Sequence, residues 1–222
     1  MRQIVFEAHT VPESWNSCHT IRAGRERNRV MILFLLLIGL PFLTLLLIRY
    51  SMSAHTDERL VIVKQGSIFG LLLGAFFMVQ NLFGNVIPLP ATLESIVDRV
   101  FAPVILGVAL LVISVSGYRA LRLTGRLRAA SLAGLLTGVI VFFLFGVSFI
   151  IIDMAFFDTV SQQPEKIFNF ARSGYADMRS YLFDSTVRGA TVLTLVGAAL
   201  GVIFGSLGGL IGNRKLFQRG AV

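Results

Sequence analysis

Charge is scarce in this chain: Asp, Glu, Lys and Arg make up 14% of its residues, against about one quarter in ordinary soluble domains. Hydrophobic residues make up 55% instead, a bias that points to a membrane before any segment is read. Cysteine is scarcer still. Cys18 stands alone, so no internal disulfide forms and cysteine usage does not report the redox compartment. The centres of the long apolar runs carry no Asp, Glu, Lys, Arg or His. Ionisable residues inside a membrane commonly mark proton relays, ion paths or counter-ions, so their absence argues against a proton pump, an ion-coupled carrier or a voltage sensor. A pore for neutral solutes stays open on this ground.

Catalytic signatures are also missing. The sequence holds no HExxH, no GxSxG and no glycine-rich loop closed by Lys-Ser, the patterns that place a metal, a nucleophile or a phosphate. Asp153, Asp158 and Glu165 lie close in sequence and read as solvated charges bordering a loop. His9, Cys18 and His19 could each ligate a metal, but adjacent Cys-His does not have a zinc spacing. The expectation is therefore a protein that is not an enzyme and uses no cofactor and no metal.

What the chain does have is long uncharged runs: Val30 to Ile48, Gln65 to Leu93, Val100 to Tyr118, Ala129 to Ile152 and Gly189 to Asn213. Each reaches the roughly 20 residues with which a helix crosses about 30 Å of hydrocarbon. The expected fold is all-α, a multi-pass transmembrane bundle of about five helices. Its spans are placed at about 30–48, 66–88, 100–118, 129–152 and 190–212. They form a membrane domain over residues 30–213, between a polar N-terminal tail, 1–29, and a basic C-terminal tail, 214–222. Tyr50 to Lys64 reads as a short polar link, and Pro88 and Pro90 mark a turn. In the hydrophilic stretch before the last span, Pro164 to Asp184 reads as one amphipathic helix. Ile167, Ala171, Met178 and Leu182 fall near one face of it, and Phe168, Phe170, Tyr175 and Tyr181 are rings suited to the headgroup level. An interfacial helix is the simple reading; a lid or a partner-docking surface is the functional one.

Glycine sets the expected packing. Gly197, Gly201, Gly205 and Gly209 recur at every fourth position, as do Gly66, Gly70 and Gly74, and Gly134 with Gly138. Each set makes a side-chain-free stripe on its helix, and in membranes such stripes let helix backbones approach closely. Gly208 and Gly212 lie displaced around the last helix and remain for a partner. Ser67 to Gly74 also overlies Ser131 to Gly138 at a shift of 64 residues, with five of eight positions identical. The match suggests two copies of a helical hairpin that run parallel to one another.

The polar residues within the spans have two readings. Gln80 and Asn81 are read first as interhelical hydrogen-bonding groups; together with Thr137 and Thr194 they are otherwise candidates for a polar path. The formal charge of +8 does not indicate nucleic acid, because the basic residues flank apolar runs. They serve as topology signals and as contacts to anionic lipid headgroups. Arg49, Arg59, Lys64, Arg119, Arg122, Arg126, Arg128, Arg214, Lys215 and Arg219 fall on one side of an alternating five-span chain, which favours a cytoplasmic C-terminus. Arg22, Arg25, Arg27 and Arg29 of the N-terminal tail oppose this: either the tail is translocated despite its charge, or the first run does not cross as drawn, or translation starts at Met31, which would remove the conflict. The expected location is the plasma membrane. The leading functional expectation is a non-enzymatic assembly or accessory subunit whose glycine faces pack its own helices, a membrane-protein partner or a second copy in a homo-oligomer. The alternative is a small transporter or channel for a neutral solute.

Overall fold

The computed structural model describes residues 35, 37–50, 56–86 and 102–219. The N-terminal tail with His9, Cys18 and His19, Met31, the turn at Pro88 and Pro90, and the side chains of Arg214, Lys215 and Arg219 lie outside the described residues. Among the described residues every regular element is helical: α1 (Leu37–Tyr50), α2 (Thr56–Val86), α3 (Ala102–Thr124), α4 (Leu127–Ala155), α5 (Phe157–Val160), α6 (Pro164–Ser173) and α7 (Met178–Arg219). Four of these, over Asp57–Phe83, Pro103–Thr124, Leu127–Ala155 and Met178–Gly212, are long and apolar enough to cross a membrane. The run expected at 30–48 is described only from α1 onward, a shorter apolar helix of 14 residues.

The helices extend beyond the apolar runs that reveal them. Thr56 to Lys64, expected as part of a polar link, is the start of α2. Asp57 and Glu58 occupy its first turn, where carboxylates complement the positive end of the helix dipole. The last helix is likewise 42 residues long and absorbs both the end of the hydrophilic stretch and most of the basic tail. The single amphipathic helix expected over Pro164–Asp184 is therefore two pieces. Pro164 starts α6, a position suited to a residue without an amide hydrogen, and Gly174 ends it at φ 74°. That left-handed conformation suits glycine and stops the helix. Met178 and Leu182 belong to α7, with Leu182 fully buried.

Asp177 caps the start of α7. Its carboxylate accepts hydrogen bonds from the Ser180 backbone N–H and the Ser180 hydroxyl, both at 2.8 Å. These bonds stabilise the charged form and hold the carboxyl below its ordinary value. A carboxyl lowered on folding adds stability above its unfolded value, and that contribution disappears as pH falls through the lowered folded value. Thermal unfolding of Asp177→Ala should accordingly lie below wild type at neutral pH and converge with it in strong acid. A pH-independent gap would count against the cap.

α4 is the central helix. Half of its most apolar window is buried within the chain, against one third for the other three spans. Gly125, at φ 70°, ends α3 with its N–H donating to the Leu121 carbonyl at 2.6 Å, and α4 returns antiparallel. Along α2, Gly66, Gly70 and Gly74 meet Leu136, Ile140 and Leu144 in turn, so α2 and α4 run parallel. α7 runs antiparallel to α4, since Gly205 lies at Gly134 and Ala190 at Gly146. α3 lies beside α7 through Gly117 on Gly205 and Ser114 on Gly208. Leu73, Phe77, Ala109, Val141 and Phe142 form the middle of the core. Large apolar residues such as Leu72, Phe76, Leu111, Val192 and Ile203 cover the outside, as expected of faces solvated by lipid rather than water.

The two ends of the bundle differ in charge. The start of α2, the end of α3 and the start of α4 bring Arg59, Lys64, Arg119, Arg122, Arg126 and Arg128 to one end. The opposite end mixes Asp153, Asp158, Glu165, Asp177 and Asp184 with Lys166, Arg172, Arg179 and Arg188, and carries the α5–α6 cap, where Val160 packs on Ile152 and Leu182.

Candidate functional site

The positions at which these helices touch are the smallest residues in the chain. An added Cβ at Gly134 would lie 2.3 Å from the Gly201 carbonyl oxygen, and one at Gly138 would lie 2.2 Å from that of Gly197. Gly201 and Gly205 meet the backbone at Gly134 in return, Gly197 is covered by Phe142, and Gly209 meets Ala130 and Leu127. Between α4 and α7, backbone thus faces backbone. The contact of α2 with α4 is different: Gly66, Gly70 and Gly74 make hollows that receive branched side chains of α4. Gly208 and Gly212, expected to remain for a partner, are occupied within the chain by Ser114 and Tyr118 of α3. Sequence reading missed Gly117, which has no glycine four residues away, and Gly146, whose contact is the Cβ of Ala190.

Polar side chains bond across the same helices. At mid-depth the buried Thr137 hydroxyl has Ser116 Oγ at 2.9 Å, the Ala133 carbonyl at 2.8 Å and the Gly66 carbonyl at 3.3 Å, so three helices meet at one hydroxyl. Deeper toward the capped end, buried Asn81 donates to Ser148 Oγ at 2.7 Å. Gln80, one residue earlier, is exposed on the outer face of α2. Thr194 is buried and donates to the Ala190 carbonyl of its own helix at 2.8 Å. Of the four residues considered for a polar path, three are thus buried, with different partners, and the fourth faces outward.

The capped end holds two buried carboxylates. Thr186 Oγ1 donates to Asp153 Oδ2, joining α7 to α4. Tyr175 Oη and Arg188 Nη2 both donate to Asp184 Oδ2, the arginine at 2.8 Å. Asp184 Oδ1 is buried and accepts no hydrogen bond among the described residues. Tyr175 also stacks edge-on against Tyr181, at 5.8 Å between ring centres, and Phe170 of α6 packs on the same ring. Asp184 is therefore a polar tie, beside the Tyr181 ring contacts, between the segment after α6 and the bundle.

The expectation that Asp153, Asp158 and Glu165 are solvated fails at Asp153, which is 5% exposed; the other two are exposed. Asp153 follows Gly146 by seven residues, two helical turns, and so continues the α4 face that packs on α7. Asp184 continues the buried stripe of Val187, Thr191 and Thr194 on α7. Helical spacing could have placed both inward had the helices been extended past their apolar runs. Chemically, these hydroxyls, the Asn81 amide and the carboxylates bond to one another, to backbone or, at Asp184, to Arg188, and the bonds between helices hold α2, α3, α4 and α7 in register. No protein-family model, curated protein or solved structure matches the chain.

Proposed function

We propose that the protein is a non-enzymatic integral membrane protein, an assembly or accessory subunit whose tightly locked bundle presents its lipid-facing helices and its cap to a membrane-protein partner. The observation that carries this reading is the contact of α4 with α7, in which Gly134 and Gly138 abut the backbone at Gly197, Gly201 and Gly205. Helices in backbone contact cannot slide or part without losing the van der Waals packing that joins them in lipid. Such a bundle suits a fixed scaffold. Its basic end lies on the cytoplasmic side of the plasma membrane under the positive-inside rule, with its arginines against anionic headgroups. α6 lies at the opposite interface with Ile167 and Phe168 exposed, held there by its amphipathic pattern. Extraction in mild detergent should yield a stable, stoichiometric complex larger than the 24.3 kDa chain. A protein that purifies alone and conducts a neutral solute across liposomes would overturn the proposal in favour of a transporter or channel.

A further inference from the structure

At the basic end, residues of α1 and α2 line a cleft of about 370 Å³, within the roughly 300–1,000 Å³ of small-molecule sites. Its walls are Leu45 and Arg49 from α1 and Asp57, Arg59, Leu60 and Val63 from α2. Both helices present the same order of chemistry. Leu45 lies one turn deeper than Arg49 along α1. On α2, Leu60 and Val63 follow Arg59 toward the centre of the bundle. Arg49, next to the end of the first apolar run, and Asp57 and Arg59, in the first turn of α2, therefore rim the cleft, with Leu45 and Val63 on its inner side. Leu60 is 69% exposed and Leu45 42% exposed, so the aliphatic part is open at the surface of the bundle. Glu58, the neighbouring carboxylate, is engaged away from the cleft by Arg126 at 3.1 Å.

We propose that this cleft binds one anionic phospholipid, its phosphodiester held by Arg49 and Arg59 and its acyl chains laid on Leu45, Leu60 and Val63. Guanidinium forks match phosphate oxygens in pairs, which a diffuse cationic surface does not provide. With Asp57 at the rim, the charged side chains that line the cleft among the described residues sum to one positive charge, equal and opposite to that of a phosphodiester. Asp57 also offers an acceptor to the hydroxyl or amine of a headgroup. A free phosphate ion would satisfy the arginines but leave the aliphatic part of the cleft uncovered. The inference rests on the reading of the basic end as lying at headgroup level and commits that reading to a discrete site.

Native mass spectrometry of the full chain in detergent, titrated with dioleoylphosphatidylglycerol, tests it. Wild type should retain one tightly held lipid. Arg49→Ala with Arg59→Ala should weaken that binding about tenfold or more, given the usual strength of basic contacts to anionic lipid. Arg122→Ala with Arg128→Ala, at the same end but outside the cleft, should leave it within about twofold. Equal losses in the two double variants, equal affinity for phosphatidylcholine, or displacement of the lipid by inorganic phosphate at similar concentration would each overturn the site. A second measurement avoids removing the arginines. In a Trp15→Phe background, Leu60→Trp should be quenched by acyl-brominated phosphatidylglycerol with saturation at one lipid per chain, whereas Leu123→Trp should follow bulk lipid. Indistinguishable quenching at the two positions would also overturn it. Failure of the site leaves the protein extracting with membranes as before; a chain that partitions into the aqueous phase refutes the underlying membrane reading instead.

Discussion

Gly138→Ala is expected to lower the folded, detergent-extracted yield several-fold, while Gly107→Ala leaves it unchanged or raises it. Both replacements add the same methyl group to a helical glycine of a membrane span. At Gly138 that carbon would lie 2.2 Å from the Gly197 carbonyl oxygen and 3.0 Å from Gly201 Cα; at Gly107 nothing lies within 4 Å. Overpacking ordinarily costs about 1–3 kcal/mol, and it is relieved when a side chain can turn aside. Here the obstacle is backbone, so α4 and α7 must separate along their length and the cost falls at or above the top of that range. Gly107 has only helix propensity to register, where alanine exceeds glycine by about 0.5–1 kcal/mol. Gly66→Ala should fall between them, because its closest neighbours are atoms of the Leu136 side chain at 2.9 Å. Fluorescence-detected gel filtration and thermal melting in one detergent read all three. A Gly138→Ala protein that melts with wild type would refute the close contact of α4 with α7.

Asp184→Ala is expected to free the cap from the bundle. The substitution removes the acceptor of both the Tyr175 hydroxyl and the Arg188 guanidinium. Loss of a buried hydrogen-bonding partner costs about 1–3 kcal/mol. Arg188 is 62% exposed and recovers water, so the larger part of the effect arises at Tyr175. Because Gly174 and Tyr175 directly follow α6, the consequence is local opening of the segment between α4 and α7 rather than global unfolding. Trypsin should then cut after Lys166 and Arg172 about tenfold faster, with little change in the melting of the membrane core, since local opening and global unfolding are separate equilibria. Tyr175→Phe retains the ring against Tyr181 and loses only the hydroxyl, so its cleavage rate should lie between the two. Unchanged proteolysis in Asp184→Ala would show that the carboxylate does not hold the cap.

Much of the bundle is legible in the sequence because crossing hydrocarbon demands about 20 consecutive apolar residues whatever the fold. The spans read at 66–88, 100–118, 129–152 and 190–212 each overlap a helix of the structure. Their ends were harder to read. Hydropathy stops at Asp153 and resumes at Gly189, but a helix continues as long as its backbone hydrogen bonds do, and α7 begins at Met178. That extension is what turns Asp184 inward and gives the bundle a polar tie at its capped end.

By itself the sequence determined the class of the protein, the existence of its main helices, and which glycines share a face, since a spacing of four returns to the same side of any helix. Only the tertiary structure decided what each face meets. Gly134 and Gly138 meet α7, the glycines of α2 receive leucine and isoleucine from α4, and Gly208 and Gly212 are taken by α3. Asp153 and Asp184 are enclosed, and the cleft at Arg49 and Arg59 is lined by residues of two helices brought side by side. The physical reason is that periodicity along one helix is a local property, whereas the pairing of faces depends on how all the helices fill space together.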